Sequence, residues 1–133
     1  MNLDPGVCFQ IQGDGYHLKV VVTFPDKDAN VLLFGLTGVE NVNDRLCVFD
    51  AGDHPFITKP SAIAYRRRWL LPYSGFDASR LKFHQRFPCE HLVRIIEGAH
   101  LSEELEPRYQ RALPKCTADL AAYIAKVNYI HGA

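Results

Sequence analysis

The densest run of chemically useful side chains lies between Asp50 and Tyr65, centred on Gly52-Asp53-His54-Pro55. An imidazole has an unperturbed pKa of about 6.5, so His54 can give or take a proton near neutral pH. A neighbouring carboxylate such as Asp53 can fix its tautomer and favour the imidazolium. Pro55 biases His54 towards extended backbone angles and so holds its ring in one direction. The same residues also spell a turn in which Asp53 bonds nearby backbone and His54 packs on Phe56. Both readings stay open at this level. Ser61 and Tyr65 are four residues apart and share a face if the segment is extended. Ser61 can donate a hydrogen bond, and Tyr65 can donate to a phosphate or stack on a base. No Gly-x-Ser-x-Gly surrounds Ser61, so it does not read as a nucleophile. Structural roles stand beside the binding roles for both residues.

A cluster of cations follows. From Arg66 to Arg86 the chain carries Arg66, Arg67, Arg68, Arg80, Lys82 and Arg86 against one acid, Asp77. Such clustering makes a positive surface of the kind phosphate binding requires. Trp69, Tyr73, Phe76 and Phe83 interleave with it as stacking surfaces for single-stranded bases. The alternative is a solvated sheet face tied by ion pairs to acids downstream, among them Glu90, Glu97, Glu103, Glu104 and Glu106. His84, Cys89 and His91 are close in sequence but lack a fourth ligand at a metal-site spacing. No phosphate-binding glycine loop or dinucleotide fingerprint is present. No metal or cofactor is expected.

The bulk properties set the frame. A chain of 133 residues is sized for one domain. Fifteen basic residues balance fifteen acidic ones, so net charge points to neither a polyanion nor a membrane surface. The four cysteines (Cys8, Cys47, Cys89 and Cys116) form no Cys-x-x-Cys pair. The start Met-Asn-Leu-Asp-Pro lacks the basic and apolar regions of a signal peptide, and no apolar run is long enough to span a bilayer. The expected setting is the cytoplasm, with free thiols and no membrane partner.

The elements that must position these residues fall into two halves. Residues 1–88 read as mainly β. Strands are predicted over 7–12, 17–24, 31–37 and 46–49, then over 61–69 and 80–87, separated by Gly, Pro and Asp turns. In the last of these, Arg80, Lys82, His84 and Arg86 alternate with Leu81 and Phe83, giving one basic face and one core face. Residues 89–133 read as helices: one from Cys89 stopped by Gly98, one opening at Ser102, and one capped by Thr117. Strands first and helices after predict a single α+β domain whose sheet curls into a small barrel.

His17-Leu-Lys-Val-Val-Val-Thr, a hairpin, Val31-Leu-Leu-Phe-Gly-Leu-Thr37-Gly and the Gly52-Asp-His-Pro-Phe-Ile57 segment resemble the PemK/Kid/MazF-like toxin barrels over roughly residues 5 to 70. The third strand of that superfamily ends in Thr or Ser, where Thr37 stands. His17 stands where the family usually has an arginine. The resemblance implies an SH3-like β-barrel followed by C-terminal helices. It also implies a metal-independent endoribonuclease acting on single-stranded RNA, dimeric and paired with a cognate antitoxin.

RNA cleavage without a metal needs a base for the 2′-hydroxyl, an acid for the leaving 5′-oxygen and donors for the phosphate. His17 and His54 supply the acid–base pair in this reading, with Thr37 and Ser61 as hydrogen-bond donors. Asp53, Tyr65, Arg66, Arg67, Arg68 and Lys82 complete the substrate-binding set. The rival readings are a nucleic-acid- or protein-binding module on the same barrel without catalysis, and a protein-interaction domain that uses the helices.

Overall fold

A computed structural model describes residues 2–13, 17–74 and 78–132 of the chain. Six strands come first: β1 (Cys8–Ile11), β2 (Leu18–Val21), β3 (Asn30–Gly38), β4 (Val48–Phe49), β5 (Ser61–Pro72) and β6 (Leu81–His84). Three helices follow, α1 (Cys89–Leu101), α2 (Pro107–Gln110) and α3 (Thr117–His131). The strands form one antiparallel sheet in the order β4-β5-β3-β2-β1-β6. The sheet is open, with β4 and β6 as its edges. This is an α+β architecture with the helices at the C-terminal end of the chain.

Successive side chains on a strand point to opposite faces, and here both faces are apolar. Val20, Phe34, Leu36 and Ile63 pack against Leu92, Ile95 and Ile96 of α1 and Tyr123 and Val127 of α3. The opposite face buries Phe9, Val21, Val31 and Leu33, with Trp69, Leu71, Leu81 and Phe83 packed around them. Two-sided burial explains why Val20, Val21 and Val22 form an unbroken apolar run. It also encloses Lys19, which is 1% exposed and holds its Nζ 4.4 Å from the centroid of the Trp69 ring.

The long β3–β5 pairing is interrupted once. Gly35 faces Ala64, but Phe34 faces Arg68, so Tyr65, Arg66 and Arg67 bulge out of the ladder. A Cβ on Gly35 would sit 3.2 Å from that of Arg67, which is why the bulge lies against a glycine. The bulge turns Tyr65 inward, where its hydroxyl donates to the Ile95 carbonyl at 2.7 Å and its ring meets Phe34 edge-on.

Three helix boundaries differ from expectation; at the last of them Thr117 is already helical, and Cys116, not Thr117, holds the cap position of α3. α1 runs through Gly98 to Leu101 instead of stopping there. Gly98 is buried, and a Cβ on it would stand 2.3 Å from the Tyr65 hydroxyl, so the glycine is a notch for β5 within the helix. Ser102 caps the end of α1, and its hydroxyl accepts from the Glu104 N–H at 3.1 Å. The next helix begins only at Pro107, whose missing N–H costs nothing in a first turn.

The loop from Asp50 to Ile57 crosses the gap between the two sheet edges. Gly52, at φ +92°, makes the turn, and its N–H donates to the Ile57 carbonyl at 2.9 Å. From α1, the His91 Nε2–H donates to the Asp53 carbonyl at 2.9 Å. On the β6 side, the His54 ring donates to the Gln85 carbonyl, and Phe49 meets Phe87 edge-on at 5.8 Å.

All four cysteines are free thiols, and burial pushes Cys8 up to about 12 and Cys47 up to about 11. No helix among the described residues is long and apolar enough to cross a membrane.

Candidate functional site

The face of the sheet that packs on the helices is apolar in its middle and polar at one end. Register carries this change. His84 pairs with Cys8, Cys8 with Val20 and Val20 with Phe34, so all four side chains share the helix-side face. Two residues further along, Lys82 pairs with Gln10, and on the other side of the sheet Gly38 pairs with Ser61. These positions lie past the apolar stretch that the helices cover. The loop carrying Phe56, Thr58 and Lys59 stands over them as a wall, and the result is an open cleft of about 510 Å³.

His17, Thr37, Ser61 and Lys82 all line this cleft, so four of the residues singled out from sequence converge. The Ser61 hydroxyl donates to the Lys59 carbonyl at 2.9 Å, which leaves its oxygen able to accept. Thr37 Oγ1 accepts from Asn41 Nδ2 at 3.4 Å and keeps its own proton to donate elsewhere. His84 lies within the same lining, with Nε2 2.8 Å from Gln10 Oε1. If that Nε2 carries the proton and donates, the tautomer leaves Nδ1 as the acceptor. Burial lowers the His84 pKa, and the Lys82 charge lowers it further, so the ring is neutral at neutral pH. Lys59 is held by Glu40 at 2.9 Å on the rim. The same Glu40 carboxylate stands against Gly38, so one acid at the rim offsets Lys59, and Lys82 adds a second cation to the lining.

His54 is not in the cleft lining. It is 2% exposed and lies against Phe87 with ring centroids 4.5 Å apart. Its Nδ1 accepts the Phe56 N–H at 3.0 Å, which puts the proton on Nε2 for the Gln85 carbonyl. The same carbonyl accepts from the Cys8 thiol at 3.0 Å. Both ring nitrogens are thus engaged within the fold, and burial lowers the pKa. His54 holds the backbone of the cleft wall, and Phe56 carries that hold to the cleft by packing edge-on against His84 at 4.8 Å.

Asp53 closes the turn, its carboxylate accepting the Asp50 N–H at 2.7 Å. Tyr65 is 1% exposed, and burial raises its pKa far above the usual phenol range. Arg66 lies 3.5 Å from Glu104, and the Arg68 guanidinium forks onto both carboxylate oxygens of Glu106. Arg67 is exposed on the bulge and does not line the cleft. Arg66 and Arg68 therefore face the acids between α1 and α2, the arrangement that the downstream glutamates had offered as an alternative. Phe76 and Asp77 lie outside the described residues.

Gln10, Phe56 and His84 are among the cleft residues that sequence reasoning had not placed in a site. The signal for His84 was present: it stands two residues from Lys82 in the alternating basic face. Gln10 becomes visible only when β1 is paired with β6.

No family model, curated protein or solved structure matches this chain.

Proposed function

We propose that the cleft binds single-stranded RNA and cleaves it without a metal ion, as the PemK/Kid/MazF-like toxins do. The convergence of His17 and His84 with Thr37, Ser61 and Lys82 in one open cleft carries this reading. The open antiparallel sheet, with its edges bridged by the 50–57 loop, is compatible with a barrel of the SH3-like kind.

In the reaction, neutral His84 removes the 2′-hydroxyl proton, and the 2′-oxygen attacks phosphorus. The P–O5′ bond breaks, and His17 protonates the departing 5′-oxygen. The products are a 2′,3′-cyclic phosphate and a 5′-hydroxyl. Lys82 and the Thr37 hydroxyl stabilise the charge that builds on the non-bridging oxygens. His84 thus takes the part that sequence reasoning assigned to His54. His17 replaces the arginine usual in the family, which makes a second imidazole the general acid. The resemblance also implies a cognate antitoxin and a homodimer.

The test is incubation of a single-stranded RNA with wild type and with His84→Ala in the presence of a chelator, with product ends identified by mass spectrometry. Cyclic phosphate ends from wild type alone are expected. The lysine-bearing cleft equally suits a binding module without turnover. Salt-dependent RNA binding with no cleavage by wild type would establish that reading instead.

A further inference from the structure

A further cation, Arg80, precedes β6 beyond the cleft just described. Gln12 N–H donates to the Arg80 carbonyl at 2.8 Å, one step past the Ile11–Leu81 pair, so the β1–β6 ladder extends to Arg80. Arg80, the last residue of a 3-10 turn (Ala78–Arg80), therefore stands one two-residue step before Lys82, which is followed by His84 at the repeat of the edge strand. A second cleft of about 400 Å³ is lined by Gln12, Ser79 and Arg80, together with Gln10 and Lys82. Those last two residues also line the first cleft, so the two hollows adjoin at them. No carboxylate lines the second cleft among the described residues.

We infer that the second cleft is a subsite for the nucleotide next to the scissile one, with Arg80 binding its phosphate. This inference rests on the RNA-cleaving reading above and assigns the direction in which the strand leaves the first cleft. Two residues along a strand cover about 6.6–6.8 Å, a step of the same order as one nucleotide of an extended single strand. A cation ladder of that period fits a phosphate backbone. An isolated small anion would fill only one position. Gln10 and Lys82, shared between the hollows, sit where the linking sugar-phosphate passes. Arg80 is exposed and its guanidinium can meet two phosphate oxygens at once.

The experiment uses 2′-O-methyl RNA, which cannot be cleaved, as probes of two and five nucleotides. Fluorescence anisotropy over a salt series reads the affinity of wild type, Arg80→Gln and Arg80→Lys. Wild type is expected to prefer the longer probe, and Arg80→Gln to reduce that preference about tenfold. The slope of log affinity against log salt for the longer probe should fall by about 0.7, the value for one single-strand phosphate contact. Arg80→Lys should recover part of the preference. Equal affinity of wild type for both probes, or an undiminished preference in Arg80→Gln, would overturn the subsite. If wild type cleaves RNA yet shows either result, only the subsite is lost. If it neither binds nor cleaves RNA, the nuclease reading is lost with it.

Discussion

His54 and His84 stand on either side of Phe56 and meet it differently. His54 accepts the phenylalanine's backbone N–H, while His84 packs on the edge of its ring. Burial lowers the pKa of both imidazoles. A titration alone would not separate them. What differs is access: His54 is 2% exposed with both nitrogens bonded inside the fold, whereas His84 is half-buried and lines an open cleft. A shifted pKa marks a candidate, but a reactive group also needs a spare nitrogen and a path for substrate. On the nuclease reading proposed above, positioning falls to one ring and proton transfer to the other.

The sharpest attempt to break that division is kinetic. His84→Ala should lower kcat for RNA cleavage by about 10²–10⁴-fold, the usual contribution of a general base, with little change in melting temperature. If His54→Ala produced the same kcat loss at unchanged stability, the division would fail. The expectation for His54→Ala is instead a loss of about 1–3 kcal/mol in urea unfolding, because a buried N–H and a buried carbonyl lose their partner.

A subtler test uses pH. Both histidines have folded-state pKa values below the unfolded value of about 6.5. Between the two values the unfolded chain binds protons that the folded chain refuses, so stability falls as pH drops below about 6.5 and levels off beneath the folded pKa. Melting temperatures at pH 7 and pH 5 should show this fall. It should shrink in His54→Ala and shrink again when His84→Ala is added.

The smallest expected effect separates two sets of cations. Arg68→Gln should cost about 1 kcal/mol or less, since its pair with Glu106 is partly exposed and screened. Lys82→Gln should leave stability unchanged while reducing the salt dependence of RNA binding by about 0.7 in slope. Equal loss of RNA affinity in both variants would return the arginine triplet to the binding surface.

Much of this arrangement could be read from residue order. The alternation at Arg80–Phe83, the valine run from Val20 and the turn at Gly52 each have a local cause, and each element appeared where that cause predicts. The cleft itself was half legible. His17, Thr37, Ser61 and Lys82 were picked by residue type and family likeness, and they converge. His54 was read from its neighbours Asp53 and Pro55, but its role is decided by Gln85 and Phe87, thirty or so positions away. The arginine triplet went the same way: the bulge at Tyr65 sets where Arg66 and Arg68 point, and a three-residue bulge has no local signature. Gly98 shows the limit most plainly. A glycine near the end of an apolar helical stripe reads as a stop until the tyrosine that fills its notch is known.

That notch ties together two positions that are far apart in the chain. The Tyr65 hydroxyl occupies the space that any side chain at 98 would need. Neither residue is free to drift alone. Among natural variants of this sequence, volume should be traded between the two sites, with alanine or serine at 98 found beside phenylalanine or a smaller residue at 65. In the laboratory, Gly98→Ala should be poorly tolerated by itself and recover when Tyr65→Phe removes the obstructing oxygen. The history of the sheet's longest strand and that of the first helix are, at this point, a single history.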